Sequence, residues 1–230
     1  MGDCSFPRNE TVRAKYPIPI CDIPENSVEA EHLNDIYDDI QDILIKNKMK
    51  DKIKQIVKPE NGIETAIVND AEFIEGLSYG KVRKGHPEGQ VIYHIKEVLE
   101  NIDKFYPEDD NRQDLRLIAL VHDTFKYKVD QTKPKVGENH HGTIARIFAQ
   151  KFTIDHRLLK IIEHHDEAYR IWGIGARRGN WYKAEKKINQ LISDLRLVGC
   201  LDLYLKFYFC DNVTGDKTQE SYEWFIKQIL

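Results

Sequence analysis

The chain has 230 residues with 34 basic and 38 acidic side chains, a net charge of −4, and 41% apolar against 31% charged residues. That balance suits a globular protein with a substantial core and excludes a disordered one. The basic residues form no block, so polymer DNA or RNA is not the expected partner. No apolar run approaches the ~18 residues of a membrane span, and residues 1–20 hold three prolines without an apolar targeting stretch. A cytoplasmic protein without membrane contact is the expectation. Cys4, Cys21, Cys200 and Cys210 are widely spaced and include no C-x-x-C, which points to reduced thiols.

In chain order, residues 4–24 carry four prolines and read as an extended segment. Ser27 then resembles an N-cap for a helix to about residue 48, with Leu33, Ile36, Tyr37, Ile40, Ile43 and Leu44 as its packing stripe. Short helices are expected at 51–57 and from Asn69 or Asp70 to before Gly80. Beyond Gly85 the predicted helices are 88–105, 114–126, 140–151, 155–165, 185–209 and 219–229. The glycine-rich stretch 173–179, with Arg177 and Arg178, is the irregular part. No alternating strand pattern competes, so the fold class is all-α. The expected organisation is an N-terminal extension and helical arm over 1–80 and a helical core over 81–230.

Polar residues interrupt the apolar stripes of that core. The run Leu115-Arg116-Leu117-Ile118-Ala119-Leu120-Val121 leads directly into His122-Asp123. A buried lone carboxylate costs several kcal/mol unless it is paired or binds a metal. Lys126 follows one helical turn later and can share that face. His94 shares the stripe of Val91 and Val98, and His141 that of Ile144, Ala145 and Phe148. Asp202 falls in phase with Leu195, Val198, Leu205 and Phe209 if one helix covers 185–209. His164 and His165 end the run Leu158, Leu159, Ile161, Ile162, so at least one of them turns inward. One such residue is ordinarily a hydrogen-bonded core group; five on successive helices form a candidate cage for one or two divalent ions.

His94, His122-Asp123 and a late aspartate resemble the H…HD…D signature of the HD superfamily. His122-Asp123-Thr124-Phe125-Lys126 is similar to its H-D-x-G-K form, with Phe125 where glycine is usual. His86-Pro87-Glu88-Gly89 also resembles the approach to the first histidine in nucleotide-processing members. The added histidines resemble the two-metal branch, H…HD…H…H…D. The resemblance implies an HD-domain helical bundle with metal ligands His94, His122, Asp123, His141, His164 and Asp202. Asp194 and Asp211 are alternatives for the last position. It further implies catalytic roles for Asp123 and Lys126, and substrate or supporting positions for His165, His140, Arg170 and Arg146. The implied cofactor is one or two ions of Mn, Fe, Zn, Ni, Co or Mg. The implied activity is hydrolysis of a nucleotide or other small phosphoester. The alternative is a diiron oxygenase resembling myo-inositol oxygenase, suggested by the D-x-x-x-K stretch at Asp202. A third reading, a degenerate HD module that only binds, requires that fewer than four of these groups converge.

Overall fold

The computed structural model describes residues 28–230, so the expected extended segment 4–24 and the Ser27 cap lie outside the described residues. The described elements are helical throughout: α1 (Val28–Val57), α2 (Gly62–Asn69), α3 (Ala71–Gly76), α4 (Val91–Phe105), α5 (Arg112–Val121), α6 (His141–Ala149), α7 (His156–His164), α8 (Glu167–Ala176), α9 (Trp181–Leu197), α10 (Leu201–Asn212) and α11 (Glu220–Lys227). Two short 3-10 turns cover Thr124–Lys128 and Gly137–Asn139.

Contacts divide the chain into Met1–Met49 and Lys50–Leu230, a division that falls within α1. In the first unit Ile40 and Leu44, expected to pack, are exposed. The second unit includes α2 and α3 together with the core helices, so residues 50–80 share a compact unit with 81–230. Cys200 and Cys210 are buried free thiols there.

In that unit α4 packs on α5, α6 along α7, α8 along α9, and α10 against α4 and α5. The seams are filled by Ile95, Val98, Ile102, Leu115, Ile118, Ile161, Ile162 and Phe207, all without exposed surface. Burying each such side chain is worth ~1.5–3 kcal/mol, which is the force that brings the helices together. Asn61 and Asp70 cap α2 and α3 through their side-chain oxygens, and Asp155 caps α7. Arg116, in mid-α5, donates from Nε and Nη2 to the two oxygens of buried Glu64 on α2, at 2.9 Å each. The pairing ties the early helices to the bundle.

The structure departs from the sequence expectation in four places. Helix α1 runs unbroken where two helices were expected, and α2 was not foreseen. The stretch read as glycine-rich and irregular is largely α8. A Cβ at Gly175 would lie 2.1 Å from the Trp181 ring, so its glycine serves close helix packing rather than a loop. The expected helix over 185–209 is two helices, α9 and α10, separated at Gly199. Gly199 adopts φ 71°, a left-handed conformation that glycine tolerates and that ends a helix.

Candidate metal centre

The HD doublet sits where α5 ends. His122 caps the helix and Asp123 precedes the 3-10 turn Thr124–Lys128, so both side chains turn off the helix end toward α4, α6, α7 and α10. His94 projects from the first turn of α4, His141 begins α6, His165 directly follows α7 and Asp211 lies near the end of α10.

Their donor atoms form two groups joined by Asp123. In the first, His94 Nε2 lies 3.2 Å from His122 Nε2 and 3.0 Å from Asp211 Oδ1. In the second, His141 Nε2 lies 3.1 Å from His165 Nε2. Asp123 divides its oxygens between them. Its Oδ2 lies 3.6 Å from His94 Nε2 and 3.7 Å from His122 Nε2; its Oδ1 lies 3.4 Å from His141 Nε2 and 3.3 Å from His165 Nε2. Ligand atoms bonded ~2.1 Å from one ion stand roughly 3.0–3.4 Å apart, the spacing found among Asp123 Oδ1, His141 and His165 and between His94 and its partners His122 and Asp211.

Two buried rings are fixed for this role. His122 Nδ1–H donates to Ala119 O at 2.9 Å and His165 Nδ1–H to Ile162 O at 2.8 Å, each a carbonyl three residues back on its own helix. This leaves both Nε2 atoms directed at the cluster, as a ligating histidine requires. Burial, reinforced by His165 and His94, pushes His122 down to about 3, against the pull of Asp123. It is therefore a neutral donor at neutral pH. His141 is also lowered, chiefly by burial. Burial opposes ionisation of Asp123, but Lys126 and His122, with His141 and His165 beside its other oxygen, hold it well below the carboxylate range. Asp211 is likewise ionised despite burial, held by Lys217 and His94. Lys217 Nζ donates to Asp211 Oδ1 at 3.0 Å, and Lys126 to Asp123 Oδ2.

Two carboxylates and four imidazoles in this arrangement are a donor set suited to divalent metal ions. The described residues able to hold an ion include His94 with His122 and Asp211, and Asp123 with His141 and His165. Carboxylates stand behind each group. Glu88, almost fully buried, has Oε1 2.8 Å from His86 Nδ1 and 3.6 Å from His94 Nδ1. Asp166 Oδ2 lies 3.3 Å from His140 Nε2. Burial again opposes ionisation of Asp166, and His140, His165 and His141 outweigh it.

Of the expected ligands, His94, His122, Asp123 and His141 come together, and two others do not. The Asp202 carboxylate is 76% exposed and pairs with Lys206 at 2.7 Å. Its inward phase presumed one helix over 185–209; the break at Gly199 resets the phase, and Asp211 then shares the face of Tyr204, Phe207 and Tyr208. His164 turns outward, its Nδ1 2.5 Å from Glu167 Oε2. His165 continues the buried row Leu158, Ile161, Ile162 at helical offsets of seven, four and three. That row was visible in the sequence and, followed strictly, selects His165.

Among the expected supporting residues, His140 accepts from Gly142 N–H at Nδ1 and caps α6 beside His141. Arg170 lies 3.3 Å from His140 Nε2. Arg146 faces Glu163, 3.2 Å away, and Arg177 covers the Tyr169 ring. A cleft lined in part by Tyr79, Arg83, His86, Glu88 and Lys126 opens on His94 and Asp123. Neither Arg83 nor Asp166 was singled out from sequence, because a loop position and a helix junction carry no periodic signal.

A helical bundle with such a His/Asp cluster is one that could hold a divalent ion. Residues 91–197 match the family profile of the HD domain, and the clustered His/Asp groups are consistent with an HD-type metal site. Asp211 lies beyond the matched segment. No curated protein and no solved structure matches the chain. Among the described residues, no helix is long and apolar enough to cross a membrane.

Proposed function

We propose that the chain is a metal-dependent phosphohydrolase acting on a small phosphoester, a nucleotide among the candidates, with ligands His94, His122, Asp123, Asp211, His141 and His165. The observation that carries this reading is the division of the Asp123 oxygens between two histidine groups at the foot of a cleft bearing cations. These residues would hold one or two divalent ions, which would supply Lewis acidity toward phosphoryl oxygens and lower the pKa of a water. The chain supplies the rest. Asp123 fixes the two groups relative to each other, Lys126 offsets its charge, and the buried walls around His122 and His165 limit the competing dielectric of water.

The oxygenase alternative drew on Phe125 and on the D-x-x-x-K stretch; Phe125 is a buried packing residue against Phe148, and the stretch is a surface ion pair in which Lys206 Nζ meets Asp202 and Asp109 at 2.7 Å each, apart from the cluster. Fewer than four convergent groups would have brought the binding-only module forward; six gather here.

A phosphoester panel with Mn, Zn, Co, Ni, Mg and anaerobic Fe tests the proposal. Release of phosphate or a nucleotide without oxygen uptake is expected. Asp123→Ala should abolish it, and Lys126→Ala should lower turnover with metal retained, because the charge beside Asp123 is lost while the ligands remain. Oxygen uptake with a polyol or phosphonate, and no phosphoester cleaved with any metal, would overturn the proposal.

A further inference from the structure

The loop 79–90 forms one wall of the cleft. Its ends are pinned, with Val91 N–H donating to Tyr79 O at 2.9 Å and Ile92 N–H to Leu77 O at 3.1 Å. Within it Arg83 and His86 exchange backbone hydrogen bonds in both directions, at 2.9 and 3.2 Å. This tight turn carries both residues in the wall of the cleft that also reaches His94, Asp123 and Lys126.

The cations around this cleft are not equally available. Lys126 is paired with Asp123, a candidate ligand. Lys217, which does not line the cleft, is paired with Asp211, the other carboxylate of the cluster. His86 is tied through Nδ1 to Glu88. Arg83 alone among the cleft-lining cations has no side-chain partner among the described residues.

We propose that Arg83 binds the terminal phosphoryl group of the substrate and makes the enzyme selective for phosphomonoesters over phosphodiesters; this rests on the phosphohydrolase reading above. A monoester has three non-bridging oxygens and is close to doubly charged at neutral pH, its second pKa being ~6. Two oxygens turned toward the cluster leave a third for the guanidinium. A diester has only two non-bridging oxygens and one charge, so the same pose gives Arg83 nothing to hold. The planar fork of arginine suits phosphate oxygens better than an ammonium does.

The test compares p-nitrophenyl phosphate with bis(p-nitrophenyl) phosphate on the manganese-loaded full chain. Arg83 is on the exposed part of the loop, so its replacement leaves the bundle intact. Arg83→Gln is expected to raise KM for the monoester about 10- to 100-fold, the range of a charge-assisted hydrogen bond, with a smaller effect on kcat. The diester should be nearly unaffected, and Arg83→Lys should recover part of the loss. Calorimetric titration with inorganic phosphate in the presence of manganese should show weaker binding to Arg83→Gln by a similar factor. Equal losses on both esters, no loss on either, or an unmutated protein that cleaves only the diester overturns the inference and leaves the hydrolase reading standing. Cleavage of neither ester with any metal, across the wider panel as well, overturns that reading and this inference with it.

Discussion

Asp211 and His165 are the residues on which the proposed centre differs most from its sequence expectation, and substitution separates the two ligand sets. The unmutated protein is expected to bind about two equivalents of manganese. Asp211→Ala and His165→Ala should each reduce this to about one, because each removes a donor from one group while the other group keeps its own. Asp202→Ala and His164→Ala should leave the count unchanged, since those side chains face Lys206 and Glu167. Elemental analysis after dialysis reads the result. A full complement in Asp211→Ala, with loss in Asp202→Ala, would sink the assignment. Lys217 adds a subtler case. It donates to both the main-chain oxygen and the carboxylate of Asp211, so Lys217→Met should preserve the donor while changing its charge balance. Weakened activity with retained metal is the expected outcome.

At the level of elements, what could be read in the sequence depended on whether a helix was continuous. His94, His122 and His141 sit in uninterrupted stripes, and their apolar neighbours at helical offsets disclosed them. Asp211 was obscured because Gly199 had to be recognised as a stop before α10 could be phased from Tyr204 and Phe207. Helix α8 was hidden by glycines whose reason, the Trp181 ring, lies outside their own segment. The match of α6 to α7 has a similar non-local cause. A Cβ at Gly142 would stand 2.4 Å from Glu163 O, so only glycine lets these helices approach closely enough to bring His141 to His165. Gly142→Ala should therefore separate the second pair of rings: manganese titration is expected to lose the second equivalent with the first preserved, and retention of both would contradict this account. The Arg116–Glu64 pair offers a stability test between α2 and α5. Because both partners are buried, Arg116→Met alone leaves a carboxylate without its partner and should cost ~3–5 kcal/mol in urea unfolding. Replacing both by apolar residues of similar volume should recover most of that loss, whereas a double variant as unstable as the single one would show that packing rather than charge holds the joint.

For the molecule as a whole, the centre joins helices that are far apart in the chain. His94, Asp123, His141, His165 and Asp211 come from α4, the end of α5, α6, the end of α7 and α10, and no two neighbouring helices supply the full set. An ion that binds this arrangement and not the unfolded chain must stabilise the fold by mass action. At a free concentration 100 times Kd the gain is ~2.7 kcal/mol. For a chain of this size each kcal/mol moves Tm by roughly 2–4 °C, so a rise of about 5–11 °C is expected when manganese is added to metal-free protein. The metal-free chain should still fold, because Lys126 and Lys217 hold the two carboxylates and main-chain oxygens hold two of the rings. Chelation should then reverse the rise without unfolding the protein at room temperature. Asp123→Asn tests whether the shift comes from this centre: the amide nearly preserves shape but weakens the link between both groups, and should remove most of the rise. Calorimetric scans at fixed protein concentration, with and without manganese and chelator, decide the matter. An unchanged Tm at saturating metal, or an equal rise in Asp123→Asn, would mean that the ions stabilise the molecule somewhere other than this cluster.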